Sequence, residues 1–167
     1  IEIPSGKKEK WEVSKIDGSL VRDFYYGTPR TINYSPYPVN YGMIPRTVLP
    51  FSMGGDGDPL DVLVLGNSLK QGEVINAKII GIMRMRDFGQ GDNKIIAVPL
   101  NGKLAEFDSL LNLNNKYPKL LQDIKIWFEN YKGINAVKFV DLGTPIEAKK
   151  LVLKSNKYFN KNGVRPR

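Results

Sequence analysis

An acidic turn that leads into an apolar strand is the feature that most constrains this chain. The segment 54–61 contains Asp56, Asp58 and Asp61, together with glycines and Pro59. Glycine allows backbone angles that other residues resist, and proline fixes one φ, so the segment is predicted to be a shaped turn. Asp61 interrupts the apolar run that follows and stands where a core residue is expected. The pattern favours a functional turn over a solvated acidic one.

Clustered carboxylates repel one another, and a hard divalent cation relieves that repulsion because magnesium and calcium prefer oxygen ligands. The chain contains no cysteine and no histidine. These absences exclude thiol nucleophiles, disulfides, zinc fingers and imidazole bases. Any metal site must therefore use oxygen ligands, which points to magnesium or manganese. Any acid or base must be Asp, Glu, Lys, Tyr or metal-bound water.

The composition suits one globular domain covering residues 1–167, and 41% of its residues are apolar. No apolar run approaches the roughly 20 residues that span a bilayer. The net charge of +8 attracts anions such as phosphate, nucleic acid or an acidic membrane. Five of the ten aspartates nevertheless lie between Asp56 and Asp92. This distribution favours a metal-assisted phosphate enzyme. We predict a cytoplasmic location and leave an exported or organellar form open.

Periodicity predicts an α+β domain. Strands are predicted near residues 1–3, 10–13, 20–21, 60–65, 74–86, 95–99 and 137–140, with a hairpin turn at 17–18. One helix is predicted over 117–132, and a second begins at the capping box of Thr144 and Glu147 and ends near Phe159. Residues 160–167 are predicted to form a mobile polar tail. Strands followed by helices indicate a small closed OB-like barrel with two helices packed outside.

Each of three further segments has two possible interpretations. In the turn 87–94, two aspartates and Lys94 either meet solvent or form a second lobe of the metal site, with the lysine aimed at phosphate. At the end of the first helix, Lys132 either complements the helix dipole or binds substrate. The tyrosines of the loop 34–42 either pack in the core or donate hydrogen bonds to phosphate.

The acidic turn Asp56-Gly57-Asp58-Pro59-Leu60-Asp61 resembles the signature of the family I soluble inorganic pyrophosphatases. The match extends from Glu2 to about Lys132. The resemblance implies hydrolysis of inorganic pyrophosphate to two orthophosphates, with Mg²⁺ as the cofactor and Mn²⁺ as a possible substitute. It also implies a homo-oligomer, a hexamer or a smaller symmetric assembly, that acts on pyrophosphate and phosphate rather than on nucleic acid or membranes.

The resemblance also implies roles for individual residues. Asp58 matches the general base toward the attacking water, and Glu2 matches an acid that lines the cavity. The residues that match the metal ligands are Asp56, Asp61, Asp87, Asp92 and Glu12. The residues that match the groups gripping the two phosphates are Lys10, Arg30, Tyr37, Tyr41, Lys94, Tyr131 and Lys132.

The chain departs from the family pattern at two places. The spacing between Arg30 and Tyr37 is one residue shorter than in the bacterial pattern, which leaves Arg22 as a rival for the arginine role. Where many bacterial members have a second acid after Asp87, this chain has Phe88, so one cavity acid is missing. These departures do not touch the acidic turn.

Two other functions remain open from the sequence. A nucleic-acid-binding barrel could use the basic surplus and a stacking platform of Tyr25, Tyr26, Tyr34 and Tyr37. Such a platform gains nothing from central acids, which repel phosphate unless a metal is bound. A metal-dependent phosphatase acting on nucleotides or other organic phosphates would keep the same acids.

Overall fold

The computed structural model describes residues 1–163, so the last four residues of the predicted tail lie outside the described residues. The strands are β1 Trp11–Val13, β2 Leu20–Arg22, β3 Phe24–Tyr25, β4 Thr28–Pro29, β5 Asn40–Met43, β6 Asp61–Val64, β7 Ala77–Asp87, β8 Gln90–Gly91, β9 Lys94–Pro99 and β10 Val137–Gly143. The helices are α1 Leu110–Lys116, α2 Pro118–Asn130 and α3 Pro145–Asn162, with a 3-10 turn at Phe51–Met53. The strand predicted at residues 1–3 is reduced to one bridge, between Ile3 and Tyr41.

The central sheet orders its strands β10-β7-β9-β6-β5, and the short β8 pairs with the end of β7. Strand β7 is antiparallel to both β10 and β9, and β5 is antiparallel to β6. Strands β6 and β9 are parallel, and their register places Asp61 beside Lys94. Two short ribbons, β1-β2 and β3-β4, complete the strand pairing of the described chain.

Both faces of the central sheet are buried, because successive side chains of a strand point to opposite sides. On one face Leu63 and Ile96 pack with Phe128 of α2, and α1 contributes to the same cluster. On the other face Val62 packs with Ala148 of α3. Helices α1 and α2 therefore cover one face and α3 covers the other, which leaves the strand ends free to carry a site.

Local signals explain where the helices begin. Pro118 occupies the first turn of α2. At the start of α3, Thr144 N donates to Glu147 Oε2 at 2.7 Å and Thr144 Oγ1 accepts from Glu147 N at 3.3 Å, which confirms the capping box. The helix continues past the predicted end at Phe159 to Asn162. No helix within residues 1–163 combines the length and hydrophobicity needed to cross a bilayer.

Two features differ from the predicted barrel with two helices. The first is α1, a third helix, whose cap Ser109 Oγ accepts from Asn112 N at 3.2 Å. It has seven residues, three of them asparagine, so it is too short and too polar to show a helical period. The second is the sheet: among residues 1–163, strand pairing leaves β10 and β5 as edges, so closure into a barrel is not confirmed. Helix α2 packs against the edge strand β10.

Candidate active site

A cavity of about 580 Å³ opens where the ends of β6, β7 and β9 face the β1-β2 ribbon. Seven carboxylates and five basic side chains line it, so its formal charge is −2 although the whole chain carries +8. The carboxylates belong to Glu2, Glu12, Asp56, Asp58, Asp61, Asp87 and Asp92. The basic groups belong to Lys10, Lys15, Arg30, Lys94 and Lys132. The cavity also includes Tyr41 and Tyr131, so it gathers every predicted site residue except Tyr37.

The acidic turn is held by backbone hydrogen bonds to the preceding segment. Gly57 N donates to Leu49 O at 2.9 Å, and Leu49 N donates to Asp58 O at 3.1 Å. Within the turn, Asp58 N donates to Asp56 Oδ1 at 2.9 Å and so directs that carboxylate. A Cβ atom at Gly55 would lie 2.2 Å from Leu49 O, so this close approach requires glycine. The glycines therefore determine where the two aspartates face the cavity.

The parallel pairing of β6 with β9 brings Asp61 and Lys94 together. Lys94 Nζ contacts Asp61 Oδ2 and lies 2.5 Å from Asp92 Oδ1, and the lysine is 3% exposed. Burial alone would lower the pKa of Lys94, but the two carboxylates outweigh it and raise the pKa above its ordinary value. Burial alone would raise the pKa of Asp92, but the charge of Lys94 brings it below its ordinary value. Lys94 and Asp92 are therefore both charged at neutral pH.

Asp87 ends β7 at a two-residue hairpin turn. Phe88 and Gly89 form that turn, with φ values of 45° and 88°. Phe88 is 78% exposed and does not contribute to the cavity wall. Asp87 Oδ2 contacts Lys132 Nζ, whereas Asp87 Oδ1 is buried and has no hydrogen-bond partner among the described residues. The carboxylate thus keeps one buried oxygen that a further ligand could use.

Lys15 is a cavity residue that the sequence analysis did not single out. Its Nζ contacts Asp58 Oδ1 from the turn between β1 and β2. The side chain of Asp58 is 37% exposed, so the carboxylate stays in contact with solvent while Lys15 holds one of its oxygens. Lys15 follows Glu12 without strand alternation, and nothing in the sequence separates it from the other lysines near the start of the chain.

A buried tyrosine, Tyr41, and a half-buried one, Tyr131, lie beside the cationic groups. Lys10 Nζ is 5.0 Å from the ring centroid of Tyr41, and Lys94 Nζ is 5.5 Å from the same ring. Tyr131 stacks on Trp127 with ring centroids 4.7 Å apart. Burial raises the pKa of both Tyr41 and Tyr131. Both phenols therefore stay protonated at neutral pH and can donate hydrogen bonds to an anion.

Arg30, and not its rival Arg22, lines the cavity. Arg30 Nη1 donates to Asp23 Oδ2 at 2.9 Å. Arg22 Nη2 donates instead to Thr31 Oγ1 at 2.9 Å, and its guanidinium lies over the ring of Trp11. The β3-β4 ribbon separates the two arginines in sequence, so only the second of them reaches the cavity.

Tyr37 is the predicted site residue that does not line the cavity. It is 3% exposed, and its ring contacts Tyr41 at 5.5 Å and Trp127 at 4.6 Å between centroids. Trp127 Nε1 also donates to Ser35 O at 3.0 Å, which fastens the tyrosine loop beneath α2. The loop therefore uses Tyr37 as a core residue behind Tyr41.

Two glutamates also line the cavity. Glu2 is 6% exposed, and its Oε1 accepts a hydrogen bond from Val13 N at 2.9 Å. Burial raises the pKa of Glu2, and the hydrogen bond from Val13 and the charge of Lys10 offset only part of that rise. Glu12, on β1, is exposed and faces the same space. Both glutamates therefore line the cavity.

The residues from 1 to 163 contain no group of three or more carboxylates arranged closely enough to hold one metal ion. Lysine ammonium groups instead contact Asp58, Asp61, Asp87 and Asp92. The donor set nevertheless fits a hard cation, because the ligands are oxygens and the cavity has two excess negative charges. Burial and the neighbouring carboxylates raise the pKa of Asp56, an electrostatic cost that a nearby cation relieves.

The family model and the most similar curated proteins both identify inorganic pyrophosphatases, and both match nearly the whole chain. Residues 1–160 match the family model described as inorganic pyrophosphatase. An inorganic pyrophosphatase of Agrobacterium fabrum is 35% identical over 168 aligned positions, which cover 98% of this chain and 89% of the relative. An inorganic pyrophosphatase of Saccharolobus solfataricus is 38% identical over 159 positions, which cover 93% and 87%.

Solved structures agree with these relatives. The inorganic pyrophosphatase of Helicobacter pylori superposes with a TM-score of 0.81 at 30% identity and covers 96% of this chain and 91% of its own. The N-terminally truncated vacuolar soluble pyrophosphatase of Trypanosoma cruzi, crystallised in complex with PPi, superposes with a TM-score of 0.87 at 27% identity. That match covers 95% of this chain and 66% of the trypanosomal one.

Proposed function

The chain belongs to the inorganic pyrophosphatase family, and we propose that it hydrolyses inorganic pyrophosphate to two orthophosphates. The observation that carries the proposal is the cavity in which seven carboxylates and five basic groups from separate parts of the chain face one another. Hydrolysis of pyrophosphate spreads negative charge over phosphoryl oxygens, so the reaction needs positioned charges more than covalent chemistry. The similarity to a trypanosomal pyrophosphatase crystallised with PPi supports the choice of substrate.

The proposed metal ligands are Asp56, Asp61, Asp87, Asp92 and Glu12, and the proposed ion is Mg²⁺ with Mn²⁺ as a substitute. When bound, such ions neutralise charge on phosphoryl oxygens and lower the pKa of coordinated water. The same carboxylates orient two cations of the chain, Lys94 and Lys132. These lysines present their remaining N–H groups to the phosphate oxygens.

We assign the general base to Asp58. Its side chain is 37% exposed at the cavity wall, so a water molecule can reach the carboxylate. Lys15 contacts Asp58 Oδ1 and fixes its direction, while Oδ2 stays available to accept a proton from the attacking water. An amide at this position would have nearly the same shape but could not accept that proton.

The two phosphoryl groups are gripped by cations and phenols. Lys10 lies just before β1 and Arg30 just after β4, and the planar guanidinium of Arg30 suits two phosphate oxygens at once. Tyr41 and Tyr131 donate hydrogen bonds, since burial keeps both phenols protonated. Tyr37 supports the ring of Tyr41 from the core side and takes no direct part.

Phosphate release from pyrophosphate with and without Mg²⁺ tests the function. We expect turnover that depends on the ion, and a loss of about 100-fold or more in Asp58→Asn with the fold retained. Asp108→Asn, which alters an exposed carboxylate outside the cavity, is the control and should behave as the unaltered chain. Magnesium-dependent turnover that survives in Asp58→Asn would overturn the assignment of the base.

The alternative substrates are separated by two further measurements. Faster release from a nucleoside triphosphate than from pyrophosphate, under Mg²⁺, would favour a phosphatase for organic phosphates. Salt-dependent binding of single strands, without turnover, would favour the nucleic-acid interpretation. We also propose a homo-oligomer, a hexamer by resemblance, and a cytoplasmic location. Light scattering in solution and localisation of the tagged protein would test these two statements.

A further inference from the structure

Three segments around the cavity are joined by a closed ring of backbone hydrogen bonds. Lys10 N donates to Arg30 O at 3.0 Å, Arg30 N donates to Asp23 O at 2.8 Å, and Asp23 N donates to Lys10 O at 3.0 Å. Lys10 and Arg30 line the cavity, whereas Asp23 is not among its lining residues. The ring therefore fixes the backbones of two cavity cations against a third residue that has no contact with the substrate space.

The side chain of Asp23 adds a second link to one of these cations. Asp23 Oδ2 accepts from Arg30 Nη1 at 2.9 Å, and the aspartate side chain is 16% exposed while that of the arginine is 37% exposed. This bond engages one guanidinium nitrogen, and the other nitrogens of the fork remain available to a ligand. The guanidinium thus has a set direction before any anion arrives.

We propose that Asp23 is a positioning residue that orients Arg30 and, through the backbone ring, holds it beside Lys10 as one phosphate clamp. The inference rests on the proposed function, because it deepens the role of the same cavity. A free arginine loses much rotamer entropy when it is immobilised on a ligand. A partner that fixes the side chain beforehand removes that loss from the binding step and strengthens binding.

Simple electrostatics predicts the opposite effect of removing Asp23. Loss of a carboxylate beside Arg30 makes the surroundings of the cavity less negative, and phosphate should then be attracted more strongly. Orientation of Arg30 predicts weaker binding after the same change. The sign of the change in affinity therefore separates a positioning residue from a neighbouring charge.

The test uses Asp23→Ala, Asp23→Asn, Arg30→Ala and the double variant Asp23→Ala with Arg30→Ala. We expect Asp23→Ala to raise the KM for pyrophosphate and the Kd for orthophosphate by about ten-fold, the effect of one hydrogen bond to a charged group, with kcat nearly unchanged. Asp23→Asn keeps an acceptor oxygen and should lose less. In the Arg30→Ala background the substitution at Asp23 should have no further effect.

The matched control is Asp141→Asn, which weakens another aspartate–arginine pair, with Arg84 at 2.7 Å, outside the cavity. It should leave KM and the orthophosphate Kd unchanged. Equal or tighter binding in Asp23→Ala would overturn the inference, and so would a loss that persists in the Arg30→Ala background. If Asp23→Ala melts at the assay temperature, Asp23→Asn supplies the same comparison. The orthophosphate Kd is measured by calorimetry and does not depend on turnover. If the unaltered chain binds orthophosphate but does not hydrolyse pyrophosphate, the proposed function is refuted, and the Kd values still test the role of Asp23.

Discussion

Lys94 is the residue whose removal should show most directly how the cavity balances its charges. The side chain is 3% exposed and lies between Asp61 and Asp92, which are 25% and 18% exposed. Lys94→Met keeps a similar length and apolar volume but removes the ammonium group. Two carboxylates with little access to solvent would then lose their common partner, and the acidic cavity would become more negative by one charge.

The expected cost follows from this burial. Removing one partner of a buried ion pair costs about 3–5 kcal/mol, because the remaining charge is left uncompensated. Since Asp61 and Asp92 keep some contact with water, we expect the lower end, about 3 kcal/mol. For a chain of this size each kcal/mol shifts Tm by about 2–4 °C, so the variant should melt about 6–12 °C lower.

The pH dependence of this loss has a defined sign. The folded-state pKa of Lys94 is raised above its ordinary value of 10.5, so its contribution to stability is complete below 10.5 and declines only as pH rises through the folded value. The difference in Tm between Lys94→Met and the unaltered chain should therefore stay constant across the neutral range and narrow only in strong alkali.

Thermal unfolding in chelator and in saturating Mg²⁺ is the assay. The ion should raise the Tm of Lys94→Met more than that of the unaltered chain, because a cation can replace the missing ammonium group beside the carboxylates. Lys116→Met is the control, since it removes an exposed pair with Glu106 and should leave Tm nearly unchanged. A metal-free Tm for Lys94→Met equal to that of the control would refute the argument.

Two other substitutions probe the cavity at Glu2 and at the end of α2. Burial raises the pKa of Glu2, so the contribution of this residue to stability should fall as pH rises from 4.5 through the folded value. Because Gln cannot ionise, the Tm of Glu2→Gln relative to wild type should increase from acidic to neutral pH, and a difference that is independent of pH would contradict this. Lys132→Ala should raise KM for pyrophosphate about ten-fold, the effect of one charged hydrogen bond, with a smaller effect on kcat. Unchanged kinetics at limiting substrate would leave Lys132 with only its structural role at the helix end.

The parts of the fold that the sequence predicted are those with strong local signals. The capping box of Thr144 and Glu147 and the apolar stripe of α2 each depend on residues within a few positions of one another. The acidic turn was recognisable because Asp61 interrupts an apolar run, and that interruption marks the start of β6. Such signals can be recognised in the sequence without knowing which residues are neighbours in the folded chain.

The parts that the sequence did not predict depend on distant contacts. Strands β6 and β9 pair in parallel although β7 and β8 lie between them in the sequence, and no local pattern predicts that pairing. Tyr37 and Tyr41 both belong to the segment 34–42 that was predicted to be a loop, but Tyr41 lies on β5 and lines the cavity, whereas Trp127 packs on the ring of Tyr37. Lys15 and Asp23 acquire their roles only when the ribbons fold against the acidic turn, so neither stands out among the charged residues near them.

The distribution of charge links the binding of substrate to the binding of cations. The whole chain carries +8 and the cavity carries −2, so the remainder of the chain carries +10. A polyanion such as pyrophosphate is therefore attracted toward the molecule from a distance but repelled by the carboxylates once it enters the cavity. Two positive charges, the charge of one divalent ion, remove that excess. We therefore expect the net positive exterior to raise the rate of encounter with the anion, and the acidic cavity to bind it tightly only when cations are present.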